Sequence, residues 1–100
     1  MRLSYDLNVR ALYIGLSGQP VARTREIDDN TNVDLDADGG VVGIEVISID
    51  HPWPLSDILA GYDIPAGEQA QLLTYFPRAV QAAPAISIAA PAPSAALTAA

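Results

Sequence analysis

Cysteine and lysine are both missing from this chain, and histidine occurs once, at His51. The first absence excludes disulfides and thiolate metal sites. The second leaves positive charge to Arg2, Arg10, Arg23, Arg25 and Arg78 alone, against 12 acidic residues, for a formal net charge of −7. So few cations cannot neutralise a track of phosphates, and nucleic-acid binding by the chain alone is not expected. The unbroken run of about 18 apolar residues that a spanning helix needs is absent too. The residues after Met1 lack the apolar core of a secretory leader. The expectation is a soluble cytoplasmic domain with no membrane partner. Nucleophilic chemistry is thinly represented: Ser17 lies in Gly15-Leu16-Ser17-Gly18, without the spacing of a nucleophile elbow, and His51 is the only imidazole base. The chain reads as a non-enzyme with no cofactor.

What is present is β pattern first and helix pattern second. Residues 3–5, 11–16, 21–27, 31–36 and 41–49 are strand-like. Leu12, Ile14 and Leu16 alternate onto one face and Tyr13 onto the other. Arg23 and Arg25 share a face, as on a sheet with one solvated side. Val42, Ile44 and Val46 line one face of the last strand. Short connections predict that successive strands pair as an antiparallel meander. His51-Pro52-Trp53-Pro54 then breaks the sheet. Leu55, Ile58, Leu59 and Tyr62 recur at helical spacing up to Gly61, and a second helix from Pro65 carries Leu72, Leu73 and Phe76 inward. These helices suit either the apolar face of their own sheet or a partner's surface. Residues 79–100 are rich in alanine and proline and carry no charge, which predicts a disordered tail; Ile86 and Ile88 offer a strand on binding. The predicted fold is α+β: a small four-stranded antiparallel meander (1–50), a helical extension of one or two short helices (51–78) and the tail (79–100).

The one stretch with specific chemistry is residues 33–49. Asp34-x-Asp36-x-Asp38-Gly39, followed by Glu45, fills the calcium-loop pattern D-x-D-x-D-G-x5-E. A calcium loop requires a helix on each side, so that the first Asp and the last Glu converge on one ion. Here the upstream residues are turn-rich and the downstream run is β-branched, while Asp38-Gly39-Gly40 is a hairpin turn signal. In an extended hairpin Glu45 is carried away from Asp34, Asp36 and Asp38 at roughly 3.3 Å per residue. The expectation is a hairpin with no metal, Asp34 and Asp36 sharing a solvated face. A calcium-binding domain using Asp34, Asp36, Asp38 and Glu45 is the alternative. A hydrolase using paired carboxylates is a further one, and it requires a cleft. A DNA-reading helix pair is disfavoured, since the second helix offers Glu68, Gln69 and Gln71 and nothing to hold phosphate.

Tyr5-Asp6, Ala11-Leu12-Tyr13-Ile14, Glu26-Ile27-Asp28, Val33-Asp34-Leu35-Asp36-x-Asp38-Gly39 and Val42-Gly43-Ile44-Glu45 follow one another as in the YuzE-like small bacterial family of unknown function, which this chain resembles over about residues 2–50. One departure is Arg10, where such proteins usually carry an acid before the Ala-Leu-Tyr element. The resemblance implies a compact antiparallel domain and no established activity. Such genes often lie beside a small toxin-like protein, which implies an antitoxin-like role. The functional expectation is an acidic, non-catalytic protein-binding module for a small basic protein. Its contact candidates are Arg23, Arg25, Asp34 and Asp36, with the C-terminal extension folding against the partner. A homodimer through a sheet edge is the expected resting state.

Overall fold

The computed structural model describes residues 1–49 and 51–79. Five strands come first: β1 (Arg2–Asp6), β2 (Ala11–Gly15), β3 (Arg23–Asp28), β4 (Thr31–Leu35) and β5 (Val41–Ile47). Two helices follow, α1 (Leu55–Gly61) and α2 (Ala66–Tyr75). The α+β class is as expected, but the sheet has five strands rather than four, because residues 2–6 pair along their whole length with β2. The predicted tail lies, apart from Ala79, outside the described residues, as do Ile86 and Ile88.

The sheet is antiparallel with order β1-β2-β5-β4-β3, so it is not a simple meander. β2 pairs with β5 instead of β3, Ala11 opposite Ile47 and Ile14 opposite Ile44. Residues 16–22 carry the chain across the ends of β5 and β4. The Leu16 and Ser17 N–H groups both donate to the Val42 carbonyl (2.8 and 3.1 Å), and Ala22 N–H donates to Leu35 (2.8 Å). β5, the strand with the longest β-branched run, thereby takes the centre of the sheet.

A bulge adds a residue to the predicted face of β5. Asp34 pairs with Gly43 and Leu35 with Val41, which leaves Val42 without a cross-strand partner. Val41 thereby joins Ile44 and Val46 in the core cluster, while Val42, itself buried, offers its carbonyl to the crossing segment.

That core lies between the sheet and the two helices. Ile14, Val33, Ile44 and Val46 from the sheet meet Leu55, Ile58, Ile64 and Leu72 from the helical layer in one cluster. Each large side chain so buried contributes about 1.5–3 kcal/mol. The helices therefore cover their own sheet, and the expectation that they fold against a partner is set aside. Trp53, just before α1, meets Phe76, just after α2, edge to face at 5.5 Å between ring centres. Ala79, assigned above to the loose tail, is buried in the same cluster. The link between the helices touches the sheet as well, through a Gly40–Asp63 bridge. The cover does not reach the edges: β1 is exposed throughout, and β3 keeps only Ile27 partly buried.

Candidate functional site

Among the described residues no helix lies on the opposite face of the sheet, which carries a polar network across β2, β5, β4 and β3. Strand register builds it. Tyr13 on β2 lies opposite Glu45 on β5, and Glu45 opposite Asn32 on β4; in the next row Gly15, Gly43 and Asp34 follow one another. Tyr13 leans from its own row across Gly43, and its hydroxyl donates to Asp34 Oδ2 at 2.8 Å. On the far side Thr24 Oγ1 of β3 donates to Asp34 Oδ1 at 2.5 Å. Asn32 Nδ2 donates to Glu45 Oε1 at 3.1 Å. Four strands are thus tied together through two carboxylates.

Gly43 makes the crossing possible. A Cβ built there would collide with the Tyr13 hydroxyl and ring, including Cε2 at 2.6 Å. A glycine within a strand commonly marks such a close approach. Half-burial pushes the Tyr13 phenol up to about 12, with the hydrogen bond to Asp34 and the negative charges of Asp34 and Glu45 acting in the same direction. Tyr13 therefore remains a protonated donor at any ordinary pH. The raised value also stabilises the fold below the ordinary 10.0, and that contribution is lost as pH climbs through about 12. The difference in phenolate absorbance between wild type and Tyr13→Phe is accordingly expected to be a single ionisation centred near pH 12. A difference curve centred at 10.0 would contradict the network.

The calcium pattern does not assemble. Its flanks are β4 and β5, not helices. Asp36 Oδ1 accepts the N–H groups of Asp38 and Gly40, both at 2.9 Å, and so serves the hairpin turn. Gly39 supplies that turn's left-handed residue, φ +88°. Asp34 and Glu45 are engaged in the network instead. Among the described residues no cluster of three His, Cys, Asp or Glu side chains is placed to hold a metal.

Asp34 lies on β4, whereas Asp36 falls just past the end of that strand, and only Asp34 enters the network. Arg23 and Arg25 face the other way. They lie opposite Leu35 and Val33, on the helix-covered side, and stay exposed because the helices stop short of β3. The four contact candidates therefore do not form one surface. Ser17 accepts the Gln19 N–H in a turn, at 3.3 Å, and His51 is exposed beside the helices. Sequence reasoning singled out Asp34 and Glu45 but missed Tyr13, Thr24, Asn32 and Gly43 as their setting. The available signal was Gly43 itself, isolated in a β-branched run.

Fold and network together define, among the described residues, a small antiparallel sheet domain with one face packed by helices and one face open, polar and acidic. Residues 2–49 match a family described only as a protein of unknown function, DUF2283. The match spans all five strands and every member of the network, and ends before the helices. No curated protein and no solved structure matches the chain. No helix among the described residues is long and apolar enough to cross a membrane.

Proposed function

We propose that the domain is a non-catalytic protein-binding module whose open sheet face receives a small basic protein, in the manner of an antitoxin-like partner. The observation that supports this reading is how Asp34 and Glu45 are held. Their donors are Tyr13, Thr24 and Asn32, all neutral, so the carboxylates are fixed in place without their charge being cancelled. A fixed, uncompensated acidic pair on a chain of net charge −7 attracts and orients a cationic surface. Asp36 extends the acidic side toward the hairpin turn; Arg23 and Arg25, which point to the other face, take no part in it. The narrower YuzE-like resemblance, with its toxin-like gene neighbours, agrees with this role.

The test is affinity purification from the cells that encode the protein, with wild type as one bait and Asp34→Asn with Glu45→Gln as the other. Glu45→Gln keeps the acceptor for Asn32, Asp34→Asn keeps one acceptor and turns the other into a donor that the Tyr13 or Thr24 hydroxyl can accept, and both charges are removed. Wild type is expected to retain a basic protein that salt releases, and the variant to lose at least about tenfold of it, as expected for truncated charge pairs at an interface. Recovery of the bait alone in repeated trials, or equal retention by both baits, rules the proposal out.

A further inference from the structure

We propose that two copies of this chain join through β1 into one continuous sheet, with the two-fold axis at Ser4. Among the described residues β1 has a neighbour on one side only, so its other edge presents unpaired backbone groups. No proline or bulge interrupts it, and it pairs with β2 in unbroken register from Arg2 to Asp6. The residues on its helix-covered side are left outside the helices' reach: Leu3 and Tyr5 are each 46% exposed, and Met1 before them and Leu7 after them are exposed as well. A row of large apolar side chains along an open strand edge is the pattern that sheet proteins usually avoid unless the edge is used.

Charge selects the occupant. An antiparallel pair related by a two-fold axis places residue i opposite residue j of the second copy, with both on the same face of the sheet. With the axis at Ser4, Arg2 meets Asp6 of the other copy, Leu3 meets Tyr5, and Met1 approaches Leu7. This register overlaps the whole of β1, sets opposite charges against each other twice on the open face, and gathers the apolar row on the helix side. Asp6 keeps Oδ2 for the arginine, since its Oδ1 accepts the Asn8 N–H at 2.9 Å. The other edge behaves oppositely. Any self-pairing of β3 centred within Arg23–Asp28 brings like charges together: Arg23 against Arg25, Arg25 against itself, or Glu26 against itself or Asp28. A register shift between Glu26 and Asp28 spoils that edge further. β1 is therefore the joining edge and β3 the protected one. The dimer leaves the Asp34–Glu45 network free, so it stands or falls independently of the proposed partner.

Sedimentation equilibrium on the full chain, from micromolar to millimolar concentration, tests this. Wild type is expected to reach a dimer. Arg2→Asp opposes Asp to Asp6 twice, and Asp6→Arg opposes Arg to Arg2 twice, so each alone is expected to weaken the dimer roughly tenfold or more. Mixing the two variants pairs opposite charges again and is expected to restore association between unlike copies. Because the chain has no cysteine, Ser4→Cys introduces a lone thiol on the axis. Facing residues of an antiparallel pair sit about 4.5–5.5 Å apart at Cα, within the span of a disulfide. Mild oxidation is expected to cross-link Ser4→Cys and to leave Arg25→Cys uncross-linked. A wild type that stays monomeric throughout, variants that dimerise as well as wild type, a mixture that does not recover, or equal cross-linking at both edges would each overturn the proposal.

Discussion

Gly43→Ala is expected to destabilise the protein by about 1–3 kcal/mol, the range for forcing an added methyl into a packed position. The new Cβ falls where the Tyr13 ring and hydroxyl already lie, so the ring must swing away and release Asp34. The same change is expected to bring the late phenol ionisation back from about 12 toward 10.0, because burial, hydrogen bond and nearby charge are lost together. The decisive comparison is with Tyr13→Ala as the background. There the collision is gone, and alanine is favoured over glycine within a strand by roughly 0.5–1 kcal/mol. Gly43→Ala should then stabilise the fold. Chemical denaturation of the four proteins reads this reversal of sign directly, and an equal cost in both backgrounds would mean that the ring does not occupy the space above Gly43.

Leu72→Ala should remove about 2–5 kcal/mol, as large-to-small changes at fully buried sites do. Leu72 is fully buried, although it belongs to the helix farthest along the described chain. It shares one buried cluster with Leu55 and Ile58 of α1 and with Ile14 and Ile44 of the sheet. A loss of that size is a large share of the 5–15 kcal/mol that hold a typical domain. Thermal unfolding is best followed by two probes, far-ultraviolet dichroism for the sheet and fluorescence of Trp53 for the helical layer, since Trp53 packs on Phe76. Both transitions should fall together by roughly 4–8 °C per kcal/mol. If only the fluorescence transition moved, the helices and sheet would not share a core.

Local periodicity carried most of the fold. The alternation at Leu12, Ile14 and Leu16 and the stripe of Leu55, Ile58, Leu59 and Tyr62 each describe one element meeting one surface, and both face the core as expected. The stripe in α2 was only partly right, since Leu72 is buried while Leu73 is exposed on the solvent side. What escaped depends on pairing across distance. Nothing local in residues 16–22 says that they cross two strand ends, so β5 was not placed between β2 and β4. The bulge at Val42, which brings Val41 into the core as well, has no local signal either. Arg23 and Arg25 show an alternation that implied a solvated face. The structure exposes them for another reason: an edge strand lying beyond the helices is solvated on both sides. The network was missed in the same way. Asp34 and Glu45 stood out as acids in a motif, whereas the residues that hold them sit on β2, β3 and β4 and become neighbours only through the strand order.

The central position of β5 also governs the order in which this fold can form. β1 with β2 and β3 with β4 are local hairpins, but a two-stranded hairpin alone is marginal in water. They become one sheet only when Val41–Ile47 enters between them, with Ala11 finding Ile47 and Thr31 finding Val46. Such distant pairings must bear the entropy of loop closure before they return any contact energy, which slows folding. During synthesis residues 1–40 emerge before the strand that unites these two marginal hairpins, which is the last of the five to arrive.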